Sequence, residues 1–123
     1  QNPTVQWGLR QGMHVMGVAT PYHFLRASLQ FDTASWSPSI RQDVLLLAGA
    51  EDHYVPQGQL AVQIDGLTRT RSLTARLFTA EEQASNHCQL GNIGLALDTM
   101  LDWMNRLDAS QERLSLALAP QEV

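Results

Sequence analysis

Two short polar stretches of this 123-residue chain hold side chains that can move protons. One is Gly49-Ala50-Glu51-Asp52-His53-Tyr54-Val55-Pro56, and the other is Glu81-Glu82-Gln83-Ala84-Ser85-Asn86-His87-Cys88-Gln89. A carboxylate from the first, set against an imidazole from the second, would make an acid–base pair. The carboxylate accepts the N–H of one ring nitrogen and leaves the other nitrogen free to take a proton. The first stretch holds the carboxylates Glu51 and Asp52, and the second holds the imidazole of His87.

The elements around these stretches can bring them together. Val44-Leu45-Leu46-Leu47-Ala48 is a continuous apolar run ended by Gly49, which suits a strand buried on both faces of a parallel sheet. Leu60, Ile64 and Leu67 are spaced four and three apart, so residues 57–67 read as an amphipathic helix. Leu73 to Phe78 reads as a second strand, and a loop from Thr79 to Leu90 follows. Asn92 can cap a helix whose stripe is Ile93, Leu97, Met100, Leu101 and Met104, with Asp98, Asp102 and Asn105 on the other side. Upstream, Thr20-Pro21 is a helix start, and Tyr22, Leu25 and Leu29 then share one face. Residues 5–17 read as a short helix or irregular structure, and 32–42 as a polar loop. The tail after Leu107, with Leu114, Leu116 and Leu118, has no assignment. Helix, strand, helix, strand, helix is the order of an α/β unit with a right-handed crossover between parallel strands. Sites in open α/β sheets gather at the carboxyl ends of the strands, and both polar stretches follow a strand.

Residues 43–56 resemble the acid-bearing strand and loop of α/β-hydrolases: an apolar strand, Gly49, two residues, Asp52, two residues, then Val55-Pro56. Residues 77–92, through His87-Cys88-Gln89 to Gly91-Asn92, resemble the loop that carries the catalytic histidine in that family. The wording is nearest to the subgroup related to dipeptidyl aminopeptidases and acylaminoacyl peptidases, which includes C–C bond hydrolases with the same His-Cys-Gln stretch. The resemblance implies that Asp52 is the acid and His87 the base of a triad, in the family's order of Ser, Asp, His. It also implies a fold: the C-terminal part of an α/β-hydrolase, about two parallel strands with flanking helices. Residues 1–31 would be the end of the cap over the pocket, 32–107 the C-terminal part of the core, and 108–123 a tail. The sequence departs from the family in holding no Gly-x-Ser-x-Gly. The nucleophile elbow, the oxyanion-hole loop and most of the sheet are therefore expected before Gln1, and the chain alone is expected to be inactive.

Taken singly, these residues have plainer readings. Asp52 alone reads more readily as a turn or capping residue, and the pattern around it together with His87 reverses that preference. His53 reads as a rim or surface residue, and His14 and His23 have no partners at metal-ligand spacing. Cys88 reads as a buried structural thiol rather than a nucleophile, and Glu81-Glu82 as solvated loop. A non-catalytic interaction or assembly module with a hydrolase-like fold is the alternative function, and a cysteine-dependent enzyme is a weaker third.

Composition sets the outer limits. The chain is 44% hydrophobic, enough for a packed core, and its net charge of −4 offers no basic surface for nucleic acid. All eight basic residues are Arg, which removes a Schiff-base lysine and a P-loop lysine. No cofactor motif occurs, so no cofactor and no metal are expected. No apolar run approaches the ~20 residues of a membrane span, so no membrane partner is expected either. One cysteine excludes an internal disulfide and, with no signal-peptide pattern at Gln1-Asn2-Pro3-Thr4, points to a reducing, cytoplasmic setting. The chain does not start with Met, so it is expected to begin inside a longer product or after processing. The expected partners are a small-molecule or peptide substrate in the intact protein. Self-association, or binding to a complementary N-terminal hydrolase segment, is expected as well.

Overall fold

The structure, a computed structural model, describes residues 2–118. Gln1 and residues 119–123 of the expected tail lie outside the described residues. The chain divides into two compact units, one ending at Trp36 and the other starting at Ser37.

The first unit is a helical pair, α1 (Pro3–Met16) and α2 (Pro21–Ser28). The sequence left residues 5–17 between short helix and irregular structure, and the structure makes them one 14-residue helix. The reason lies at its ends and at one glycine. Asn2 caps the start by accepting the Thr4 N–H at 2.9 Å, with Pro3 in the first turn. Gly17 ends it in the left-handed region, φ 62°, where its N–H and that of Val18 reach the carbonyls of His14 and Met13. Gly12 is tolerated mid-helix because the Phe24 ring occupies the space a Cβ would need. α2 starts as its sequence predicts: Thr20 Oγ1 accepts the His23 N–H and Pro21 opens the first turn.

The second unit has the elements β1 (Asp43–Gly49), α3 (Gly58–Gly66), β2 (Ser72–Phe78) and α4 (Ile93–Leu118). A 3-10 turn at Ser37–Ser39 precedes β1, inside the predicted polar loop. The two strands pair in parallel, with Asp43 opposite Ser72 and Gly49 opposite Phe78, and α3 links them. Helices beside a parallel sheet make this an α/β arrangement. At the amino ends of the strands, Arg71 and Ser72 both hydrogen-bond to Asp43, the latter at 2.6 Å.

Two expectations about packing are corrected. β1 was expected to be buried on both faces, yet Val44 to Ala48 are only half-buried and Gly49 alone is buried. Among the described residues the sheet has two strands, and the helices beside it leave both faces of β1 only partly covered. The stripe Ile93, Leu97, Met100, Leu101, Met104 was expected to be the packing face of α4, but all five are exposed. The face that packs is Leu95, Ala96, Thr99 and Trp103. Ala96 lies in the core with Phe78 and Ala84, and Leu95 and Leu47 pack against it. Trp103 donates its indole N–H to Thr74 Oγ1 at 3.2 Å. Small residues at 96 and 99 let the helix come close to the sheet, while Ile93, Leu97, Met100, Leu101 and Met104 face away. A helix apolar on more than one face is normally covered on more than one face.

α4 also extends further than the sequence indicated, running 26 residues and taking in Leu114 from the unassigned tail. No helix among the described residues is long and apolar enough to cross a membrane.

Candidate acid–base site

Both polar stretches leave the carboxyl ends of the paired strands. The ladder continues one step past β1, where the Ala50 N–H reaches the Phe78 carbonyl at 2.9 Å. The Glu51 N–H then reaches the Ser85 carbonyl, also at 2.9 Å. The two loops are thus joined before either delivers its functional side chain.

Asp52 and His87 meet. Asp52 Oδ2 lies 2.8 Å and Oδ1 3.1 Å from Nδ1 of His87. Oδ1 also accepts the backbone N–H groups of Tyr54, at 2.8 Å, and Val55, at 2.9 Å. These local bonds are those of an Asx turn, so the plain reading of Asp52 as a turn residue and its role as a partner of His87 hold at once. The Asp52 side chain is 9% exposed and that of His87 36%, so the carboxylate is sheltered and the ring is reachable. Partial desolvation pushes the Asp52 carboxyl upward. The Val55 N–H, the His87 ring and the Tyr54 N–H together outweigh it and hold the group at about 2, below the usual 3.8. Nε2 of His87 takes part in no hydrogen bond among the described residues, and is the nitrogen open to a substrate or a nucleophile.

The pair opens on a groove of about 650 Å³, lined by β1 from Leu46 to Gly49, by Leu60 and Gln63 of α3, and by Asp52, Tyr54, His87 and Gln89. Tyr54 stands edge-to-face with His87, ring centroids 4.8 Å apart. Contacts of this kind fix ring orientation and contribute on the order of 0.5–1.5 kcal/mol.

The loop that carries His87 is held in an unusual shape. Gln83, Cys88 and Gln89 all have φ between 52° and 57°, the left-handed region that side chains other than Gly seldom adopt. Gly91 packs so closely on the Gln83 carbonyl that a Cβ would sit 2.1 Å from its oxygen. Asn92 donates to the Glu82 carbonyl at 3.0 Å, and its Oδ1 accepts the Leu95 N–H at 3.3 Å, which ties the loop to the start of α4. At Gly49 a Cβ would meet the Ser85 carbonyl oxygen at 2.3 Å, so the histidine loop lies directly on the end of β1.

The other sequence candidates fall as follows. Cys88 is exposed, against the expectation of a buried thiol, because it occupies a left-handed turn and the buried position beside it is Gln89. Glu82 is no free loop acid. It accepts the Thr79 N–H at 2.9 Å and pairs with Arg76, and these bonds hold its carboxyl below the usual range despite partial desolvation. His53 stacks on Tyr54 and stays 6.2 Å from the His87 ring, with no bond to Asp52. His23 bonds locally to Thr20. No group of three or more metal-ligating side chains occurs among the described residues. Tyr54, Glu51 and Ser85 were not singled out from the sequence. A signal for them existed only in their positions next to Asp52 and His87.

Neither a protein-family model, nor a curated protein, nor a solved structure matches the chain.

Proposed function

We propose that this chain supplies the acid and the base of a Ser-His-Asp triad in an α/β-hydrolase. One observation carries the reading: a sheltered carboxylate, ionised to about pH 2 and fixed by two backbone N–H groups, is held on Nδ1 of a half-exposed histidine at the carboxyl end of a parallel strand pair. In such a triad His87 takes the nucleophile's proton at Nε2 as it attacks a carbonyl, and later returns it to the leaving group. Asp52 holds the Nδ1–H tautomer and stabilises the imidazolium that forms. The substrate would be an ester, a peptide or a ketone-adjacent carbon–carbon bond, in a cytoplasmic protein without a cofactor.

No Gly-x-Ser-x-Gly occurs in the 123 residues, so the reading requires a nucleophile from a complementary segment. The half-buried β1 and the exposed α4 stripe support a missing neighbour on physical grounds, since large unpaired apolar faces normally mark an interface. The test is acylation. The longest gene product containing these residues is treated with a fluorophosphonate, with and without His87→Ala. Labelling of a serine outside residues 1–123, abolished by His87→Ala, is the expected result. Absence of labelling, or labelling that survives His87→Ala, refutes the triad.

A further inference from the structure

We propose that Ser85 and Glu51 form a two-point latch that positions the Asp52–His87 pair, an inference that rests on the triad reading above. Ser85 Oγ donates to Glu51 Oε2 at 2.7 Å, and the Glu51 N–H donates to the Ser85 carbonyl at 2.9 Å. Two bonds in opposite directions join the same two residues across the two loops. Glu51 immediately precedes Asp52, and Ser85 precedes His87 by two residues. The latch is therefore one residue from the acid and two from the base. Catalytic geometry of this kind must be held to within about 0.5 Å and 10–20°. Backbone pairing reaches Glu51, whose N–H holds the Ser85 carbonyl, and the Ser85 hydroxyl on Glu51 adds a side-chain bond at the same point.

The chemistry of the contact argues for orientation over general stability. Ser85 is nearly buried and sits beside the core residue Ala84, whereas Glu51 is exposed. Exposed carboxylates in polar contacts contribute little to folding. A serine hydroxyl in that place needs one acceptor, and Glu51 provides it from the acid loop rather than from the histidine's own loop. Gly49 beneath the Ser85 carbonyl removes the Cβ that would push the loops apart. Neither side chain touches a reacting atom, so both are positioning residues.

The test uses the 123-residue chain and nuclear magnetic resonance of its ring protons. The His87 Nδ1–H should appear as a deshielded, slowly exchanging signal that Asp52→Asn removes. Ser85→Ala and Glu51→Ala should each speed its exchange by about two- to fivefold, the scale of one contact to an exposed carboxylate. Glu51→Gln retains an acceptor oxygen and should restore most of the protection. The Trp103 indole N–H, bonded to Thr74 on the sheet, is the internal reference and should not change. Should Ser85→Ala fail to fold, the exposed Glu51→Ala and Glu51→Gln pair carries the comparison. Unchanged His87 protection in natively folded variants overturns the latch and leaves the triad intact, and so does equal acceleration at Trp103. Absence of the Nδ1–H signal from the wild-type chain, or its survival in Asp52→Asn, removes the acid–base pair itself and both proposals with it.

Discussion

Replacing Asp52 by Asn asks whether the carboxylate sets the tautomer of His87. Oδ1 receives two backbone N–H groups, at 2.8 and 2.9 Å, and Oδ2 approaches Nδ1 to 2.8 Å. An Asn side chain must place its carbonyl oxygen where Oδ1 was, because an amide nitrogen there would set donor against donors. Its NH₂ then occupies the Oδ2 position and faces Nδ1. A donor facing Nδ1 favours the ring form with the proton on Nε2, and that nitrogen can no longer accept one. The backbone bonds survive, so the fold should survive with them. On the proposed triad reading the expected loss is roughly 10³–10⁴-fold in turnover, the known scale for this tautomer error. The 123-residue chain gives an independent readout, since ¹⁵N shifts of the neutral ring distinguish the two tautomers. His53→Ala is the control: its ring lies 6.2 Å from that of His87 and makes no bond to Asp52, so its effect should be far smaller. An Asp52→Asn variant that keeps the Nδ1–H tautomer, or turns over near the wild-type rate, would refute the reasoning.

Gly49→Ala puts a Cβ 2.3 Å from one backbone oxygen and 2.8 Å from another. It should lower stability by about 1–3 kcal/mol as an overpacked site, and urea unfolding that matches the wild type would count against the described loop contact. Asp52 and Asp43 both lie at about 2 in the folded chain against an ordinary 3.8. Their folded values are depressed, so their contribution is present above about pH 4 and is lost as pH falls through about 2. The urea midpoint should fall over that window and fall less in Asp43→Asn; a midpoint that rises would reverse the sign. The purified chain should show no turnover of an activated ester and should self-associate in light scattering. Leu97→Glu with Leu101→Glu should weaken that association, and a well-behaved wild-type monomer would contradict the exposed stripe as an interface.

The elements bearing the site were legible because their signals are local. A run of five apolar residues closed by Gly49, and an Asp three residues before Val55, placed β1 and the acid loop from the sequence. Thr20-Pro21 and Asn92 marked helix starts because capping is decided within one turn. The packing face of α4 was not legible. Two apolar stripes run along that helix, and choosing the bulkier one ignored that small Ala96 and Thr99 permit the closest approach to the sheet. The burial of Gln89 and exposure of Cys88 were equally hidden. They follow from left-handed backbone at two side-chain-bearing residues, which sequence propensities disfavour and only the surrounding contacts impose. Gly91 shows the same limit: its need for close approach arises from the Gln83 carbonyl eight residues earlier.

On the proposed reading, the chemical gap and the structural gap lie in one place. The groove that exposes Asp52 and His87 is also lined by Leu46, Leu47, Ala48 and Gly49 of β1. Among the described residues, β1 has a strand on one side only. A parallel strand added to its open edge would gain the backbone bonds that edge lacks. Parallel to β1, it would end level with Gly49, at the end of the sheet where Nε2 is free. A nucleophile delivered at that end of a completed sheet would face the site, its position set by the backbone pairing of the added strands. Sheet completion and triad assembly are then coupled. Association that formed without bringing a serine to His87 would separate the two and leave the open edge explained by self-pairing alone.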